Sequence, residues 1–170
     1  MNTAGQLKGC KILILGADLP LGTALADGLH RQGADLVLSG SNRRQLERLA
    51  RRCVAPVGLP LGLRVDAIIQ ALPSPDSLLR QASDMHPRER IRQLLACLKP
   101  EGTFIHLMHH SAGRIQQALP GRFLSFLGLE LLRLRVRVIA LPLRLGGTVQ
   151  EVIDTLPVLL RTTRKPDTDH

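Results

Sequence analysis

Residues Lys11 to Leu15 (KILIL) form a short continuous apolar run closed by Gly16, and no other stretch constrains the fold as strongly. Such a run reads as a strand buried on both faces, which makes it a central strand of a parallel sheet. A parallel neighbour is reached only through a crossover of a dozen or more residues, and one follows at once. Pro20 to Gln32 is predicted to be a helix, since proline suits a first helical turn, Leu21, Leu25 and Leu29 repeat at four-residue spacing, and Gly33 then stops it. Asp35 to Ser39 (DLVLS) is the second strand. Arg43 to Arg52 is a second helix, with Leu46, Leu49 and Ala50 turned inward and five arginines turned to water.

The pattern then loosens. Val54 to Leu63 is rich in Pro and Gly, and only Val54 to Val57 is suited to a brief edge strand. Val65 to Ala71 is the next strand, yet the residues between Val57 and Arg64 are too few for a helix, so a whole crossover is missing. Further on, His86 to Leu98 carries Pro87 in its first turn and Ile91, Leu94, Leu95 and Leu98 on one stripe. Thr103 to Met108 is a strand, Pro120 to Leu132 a helix, Arg135 to Leu141 the last strand and Val149 to Arg161 the last helix. This alternation predicts an α/β fold: a doubly wound, Rossmann-like parallel sheet with helices on both faces and a shortened third strand. The domain is expected to span residues 1–163, with a loose polar tail over 164–170. Ligands of such sheets bind beyond the carboxyl ends of the strands, where the strand order reverses.

Composition narrows the classes of function. With 44% hydrophobic and 22% charged residues in 170, the chain suits one globular domain, and no stretch approaches the roughly eighteen apolar residues of a membrane span. Residues 1–9 do not read as a secretory signal, so a cytoplasmic location is expected. Cys10, Cys53 and Cys97 lie far apart without a CxxC pair, which argues against a disulfide framework or a zinc site. The formal charge of +9 attracts anionic partners. Without Trp or Tyr, and with only Phe104, Phe123 and Phe126, the chain lacks the stacking surfaces of single-strand readers, so no specific nucleic acid is expected.

The segment KILILGADLPLGTALADGLHRQGADLVLSGSNRRQLERLA, Lys11 to Ala50, resembles the opening of the short-chain dehydrogenase/reductase family, from the glycine turn through the second helix. In the same order, VDAIIQALP resembles the family's fourth strand, GTFIHLM the fifth and ELLRLRVRVIALPLRLGGT the region of the sixth. The resemblance implies a dinucleotide turn of the form G-x-x-x-G-x-G, in which glycines let backbone approach a pyrophosphate. Gly16 and Gly22 keep their places; Pro20 replaces the middle glycine, and Asp18 brings a carboxylate into the loop. Both changes disfavour a dianionic ligand. Where the family often has an arginine for a 2′-phosphate this chain has Ser41, with Arg43 and Arg44 as substitutes that would favour NADP over NAD. The implied cofactor set is Gly16, Asp18, Gly22, Ser41 and Arg43, binding NADP or NAD weakly or not at all.

The resemblance also implies a Tyr that transfers a proton, a Lys four residues later and a Ser after the fifth strand. The corresponding positions fall at about Gly113 and Gln117, and near Met108 or His109, with Ser111 as a remnant; the chain has no tyrosine. No catalytic residue is therefore expected, with His109 and Ser111 as the only weak candidates. His106, His109 and His110 cluster near a strand end, the last two expected in a turn, but with no nearby acidic ligand a metal is not expected.

The helices 86–98 and 120–132 resemble the pair through which the family dimerises. Residues 120–132 carry more apolar surface than one stripe requires, which marks Ile91, Leu95, Phe123, Phe126 and Leu127 as an interface for a homodimer or a heterodimer with a complete homologue. Arginines gather at Arg88, Arg90, Arg92, Arg133, Arg135 and Arg137, and related ketoreductases receive acidic acyl carrier proteins there. The sequence thus predicts a noncatalytic structural or regulatory subunit. The alternatives are an active NAD(P)-dependent reductase using His109 or Ser111, and a basic adaptor for an acidic protein, nucleic acid or an anionic membrane.

Overall fold

The computed structural model describes residues 5–71, 87–111, 114, 115, 133, 135–143 and 148–161. Strand β1 (Lys11–Leu15) is central, as its composition requires: Ile12, Leu13 and Ile14 are fully buried. It lies parallel to β2 (Asp35–Ser39) on one side and to β3 (Val65–Gln70) on the other, with Ile12 opposite both Leu36 and Ala67. Beyond β3 lies β4 (Leu98–Ser111), which is parallel to β3 and to β6 (Arg137–Leu143). The two-residue β5 (Arg114–Ile115) turns back antiparallel on the tip of β4. The order β2-β1-β3-β4 reverses between β1 and β3, which places the crevice of this sheet at their carboxyl ends.

Alternation along β1 supplies both faces with core. Ile12 and Ile14 pack with Leu25 and Leu29 of α1 (Pro20–Arg31), Leu46 and Leu49 of α2 (Arg43–Cys53), and Ile153 and Leu156 of α4 (Val149–Arg161). Leu13 and Leu15 pack on the other face with Phe104 and with Leu94 and Leu95 of α3 (Pro87–Ala96). Each fully buried Ile or Leu contributes roughly 1.5–3 kcal/mol, so β1 anchors the sheet from both sides. The sheet is doubly wound, as its element order predicts.

Several boundaries differ from expectation for identifiable reasons. The edge strand expected over 54–57 reduces to one parallel bridge, Leu38 to Val57, held by Leu38 N–H donating to Pro56 O (3.0 Å) and Gly58 N–H donating to Leu38 O (2.8 Å). Val54 instead caps α2 in the left-handed conformation, at φ 50° and ψ 47°. No helix lies between Cys53 and Val65, so the missing crossover is real. Strand β4 runs from Leu98 to Ser111 and so takes Leu98 from the helix that was expected to contain it; Leu98 pairs with Val65. Its far end continues through His109 and His110, expected in a turn, because β6 and β5 supply backbone partners there: His109 pairs with Leu143 and His110 with Ile115. Residues 120–132 lie outside the described residues. No helix among the described residues is long and apolar enough to cross a membrane.

Val54 gives a direct stability test. A β-branched residue is a poor occupant of the left-handed region, and at 85% exposure its side chain contributes little packing. Val54→Gly is expected to stabilise the fold by about 1 kcal/mol, read as a higher urea midpoint at unchanged slope.

Candidate functional site

The site is built where β1 ends. Gly16 adopts φ 78°, open to glycine at little cost, and its N–H and that of Ala17 both donate to Ser39 O (2.9 and 3.0 Å). Leu19 N–H donates to Gly16 O (3.1 Å), closing the turn, and α1 begins at Pro20. Gly22 is required by close approach, since a Cβ there would lie 2.1 Å from Gly16 O. The start of α1 has no side-chain cap. Among the described residues nothing accepts from the Leu21 or Gly22 N–H, and Pro20 has none to give. The positive end of α1 lies at the switch point, and an anion at such a helix start is stabilised by dipole and hydrogen bonds together.

Asp18 turns away from that opening. Its Oδ2 accepts from Ser41 N–H (3.1 Å), Ser41 Oγ–H (3.1 Å) and Asn42 N–H (2.8 Å), tying the first strand-to-helix turn to the second. Its Oδ1 is buried with no donor among the described residues. Gly40 makes room for it: a Cβ on Gly40 would sit 2.0 Å from Oδ1 and 2.6 Å from Cγ. Asn42 also caps α2, accepting from Gln45 N–H (3.2 Å). Sequence reading singled out Asp18 and Ser41 but not Gly40 or Asn42; the only available signal was the run Gly-Ser-Asn directly before a helix.

Arg43 is paired along its own helix. It is 89% exposed, and its Nε donates to Glu47 Oε1 (2.9 Å) one turn along α2. It borders an open groove of about 390 Å³ lined by Gly40, Ser41, Leu46, Glu47 and Val57, beside the single bridge that replaces a third strand. A second cavity, about 190 Å³, opens among Lys8, Cys10, Asp66, Lys99 and Glu101 at the amino ends of the strands. Ligand sites of doubly wound sheets form at the opposite ends, so the crevice beside Gly16 is the candidate.

His106 is buried in β4, and its Nδ1–H donates to Gln70 Oε1 at the end of β3 (3.1 Å). Gln70 was missed; the signal was a polar residue closing an apolar strand beside a histidine on the neighbouring one. His106 is thus a strand residue held within the sheet. The side chains of His109, His110 and Ser111 lie outside the described residues, as do Gly113 and Gln117. Among the described residues no group of three His, Cys, Asp or Glu could hold a metal ion. Cys10, Cys53 and Cys97 form no disulfide, and burial, reinforced by the Asp27 carboxylate, pushes the Cys53 thiol up. Of the expected interface residues, Leu95 is corrected: it is 2% exposed and packs with Leu94, Leu98 and Phe104 in the protein's own core. The Ile91 side chain and all of Phe123, Phe126 and Leu127 lie outside the described residues.

The two turns differ in the backbone donors they leave unused. The open N-terminus of α1 suits a pyrophosphate, whereas Asp18 already takes the donors of Ser41 and Asn42 that a ribose phosphate would need. Gly40→Ala should expel the Asp18 carboxylate and cost about 1–3 kcal/mol by thermal melting. Combined with Asp18→Ala, the two losses should be less than additive, because they break the same contact.

No protein-family model matches the chain, and no curated protein sequence matches it. Solved structures do. BdcA (YjgI) from E. coli superposes with a TM-score of 0.62 at 14% identity, over 94% of this chain and 95% of that one. BdcA in complex with NADPH gives 0.62 at 12% identity, over 92% and 88%. A short-chain dehydrogenase/reductase from Serratia marcescens gives 0.58 at 12% identity, over 91% of each. With the switch point, the glycine turn and both helical layers in place, the chain has the Rossmann-type α/β fold of the short-chain dehydrogenases and reductases.

Proposed function

We propose that this chain is a noncatalytic relative of the short-chain dehydrogenases and reductases, a pseudoenzyme that keeps a reduced dinucleotide crevice and acts through protein association. The observation that carries this reading is the absence of any tyrosine from its 170 residues. Carbonyl reduction by such a fold needs a positioned acid for the developing alkoxide, and loss of that acid alone removes about 10²–10⁴-fold in rate. The position that matches the family's lysine falls at about Gln117, which carries no ammonium.

The crevice supports residual binding. Gly16 and Gly22 shape the turn, and the two free N–H groups of α1 would hold a pyrophosphate. A NADPH complex is known for BdcA, which shares the fold. A bound dinucleotide would supply hydride chemistry; this chain's residues would only hold it. Association is assigned to residues 120–132, whose apolar content exceeds the needs of one sheet face, with a second copy or a complete homologue as partner.

Calorimetric titration with NADH and NADPH, coupled to absorbance at 340 nm over a panel of aldehydes and ketones, tests the reading. Saturable weak binding with cofactor oxidation at the buffer rate is expected. Turnover that disappears in His109→Ala or Ser111→Ala would instead establish a working reductase with an unusual proton donor.

A further inference from the structure

We infer that helix α2 and the loop after it form a docking surface for an anionic phospholipid bilayer, with arginines for the headgroups and exposed aliphatic side chains for the layer beneath them. The surface is separate from the crevice at Gly16 and does not depend on the nucleotide reading. Residues 43–64 hold six arginines against one acid, Glu47. Arg43 is paired with Glu47, and Arg52 with Asp27 of α1. Arg44, Arg48 and Arg51 are exposed and make no ion pair among the described residues. Their spacing sets them in one row on the face of α2 opposite the buried Leu46, Leu49 and Cys53. This row does not serve the helix. Like charges at such spacings repel, and Arg44 lies in the first turn, where a cation opposes the helix dipole and no acid offsets it. A surface of opposite charge would relieve both.

The row leads into apolar residues. Val54 closes α2 three residues after Arg51, and of the four large apolar side chains exposed among the described residues, Val54, Val57 and Leu61 all fall between positions 54 and 61. Leu61 is fully exposed. They lie where the crossover helix is missing, on a segment that joins the sheet edge at the single bridge of Val57 to Leu38. Val54 is held out at φ 50°, a conformation that costs a β-branched residue more than glycine. The fold thus gives up stability twice, in the arginine row and at Val54, to keep cations and neighbouring aliphatic groups in water. That combination selects the partner. The phosphates of a nucleic acid would use the cations but gain nothing from a bare leucine, whereas a bilayer takes aliphatic side chains just beneath a layer of headgroup charge. Stable attachment to a bilayer takes two signals, and a basic row beside exposed aliphatics supplies both.

Co-sedimentation of the full chain with vesicles of phosphatidylcholine, and of phosphatidylcholine mixed with phosphatidylserine, tests the inference, with a DNA duplex as a second polyanion. Wild type should pellet with the phosphatidylserine vesicles and not with phosphatidylcholine alone, and should be released as salt rises. Arg44→Gln, Arg48→Gln and Arg51→Gln combined should weaken vesicle binding by about a hundredfold, each charge contributing roughly fivefold. Leu61→Ser should weaken it by roughly fivefold while leaving any duplex binding unchanged. Far-UV circular dichroism establishes that each variant folds; if the triple variant does not, wild type and Leu61→Ser decide. Phosphatidylserine vesicles bound no better than phosphatidylcholine, or vesicle binding unaltered in either folded variant, overturns the inference. Tight duplex binding that only the triple variant loses, with vesicle binding indifferent to Leu61→Ser, also overturns it and assigns the row to nucleic acid.

Discussion

The contact between Gly22 and the turn at Gly16 is the constraint on which the rest of the site depends. A side chain on Gly22 would fall 2.1 Å from the Gly16 carbonyl, so α1 can lie this close to the end of β1 only because that position is bare. The close approach brings the positive end of α1 over the switch point between β1 and β3, and it aims Asp18 at the second turn. Move α1 outward by the width of a methyl group and the carboxylate no longer reaches Ser41 and Asn42.

Sheet and site respond differently to the sequence's departures from its fold relatives. The sheet tolerates loss of a crossover because β2 needs little beyond its own edge. One bridge between Leu38 and Val57 marks where a third strand would run, and the chain returns directly to β3. The site is less tolerant. That loss leaves an open groove beside Ser41. On the reading proposed above, the absence of tyrosine from the sequence also removes the acid that carbonyl reduction would need. What persists is a glycine turn that leads into a helix N-terminus.

Much of the fold was legible from periodicity. Strand β1 and helix α4 fall at the residues that pattern assigns, since an apolar run between breakers or a regular stripe needs no tertiary information. Strand β4 shows the limit. Lys99-Pro100-Glu101-Gly102 has the composition of a turn and bulges out between the Leu98–Val65 and Thr103–Ala67 pairs, with Glu101 at φ 62°, whereas His109-His110-Ser111 shows no alternation yet joins the strand because β5 and β6 offer paired backbone alongside. The Asp18 contact was legible only in part. Its residue type could be weighed as a charge in a loop, but its partners lie over twenty residues away and are set by how two turns meet in space. The bond between Gln70 and His106 was invisible for the same reason, since strand register decides it.

On the proposed reading a nucleotide meets only the start of α1, because Asp18 already takes the donors of the second turn. Backbone amide chemical shifts in a ¹⁵N-labelled sample titrated with NAD test it most directly. The account predicts that the Leu21 and Gly22 amides shift progressively while those of Ser41 and Asn42, already bonded to Asp18, stay in place. Large shifts at Ser41 and Asn42, or none at Leu21 and Gly22, would contradict it.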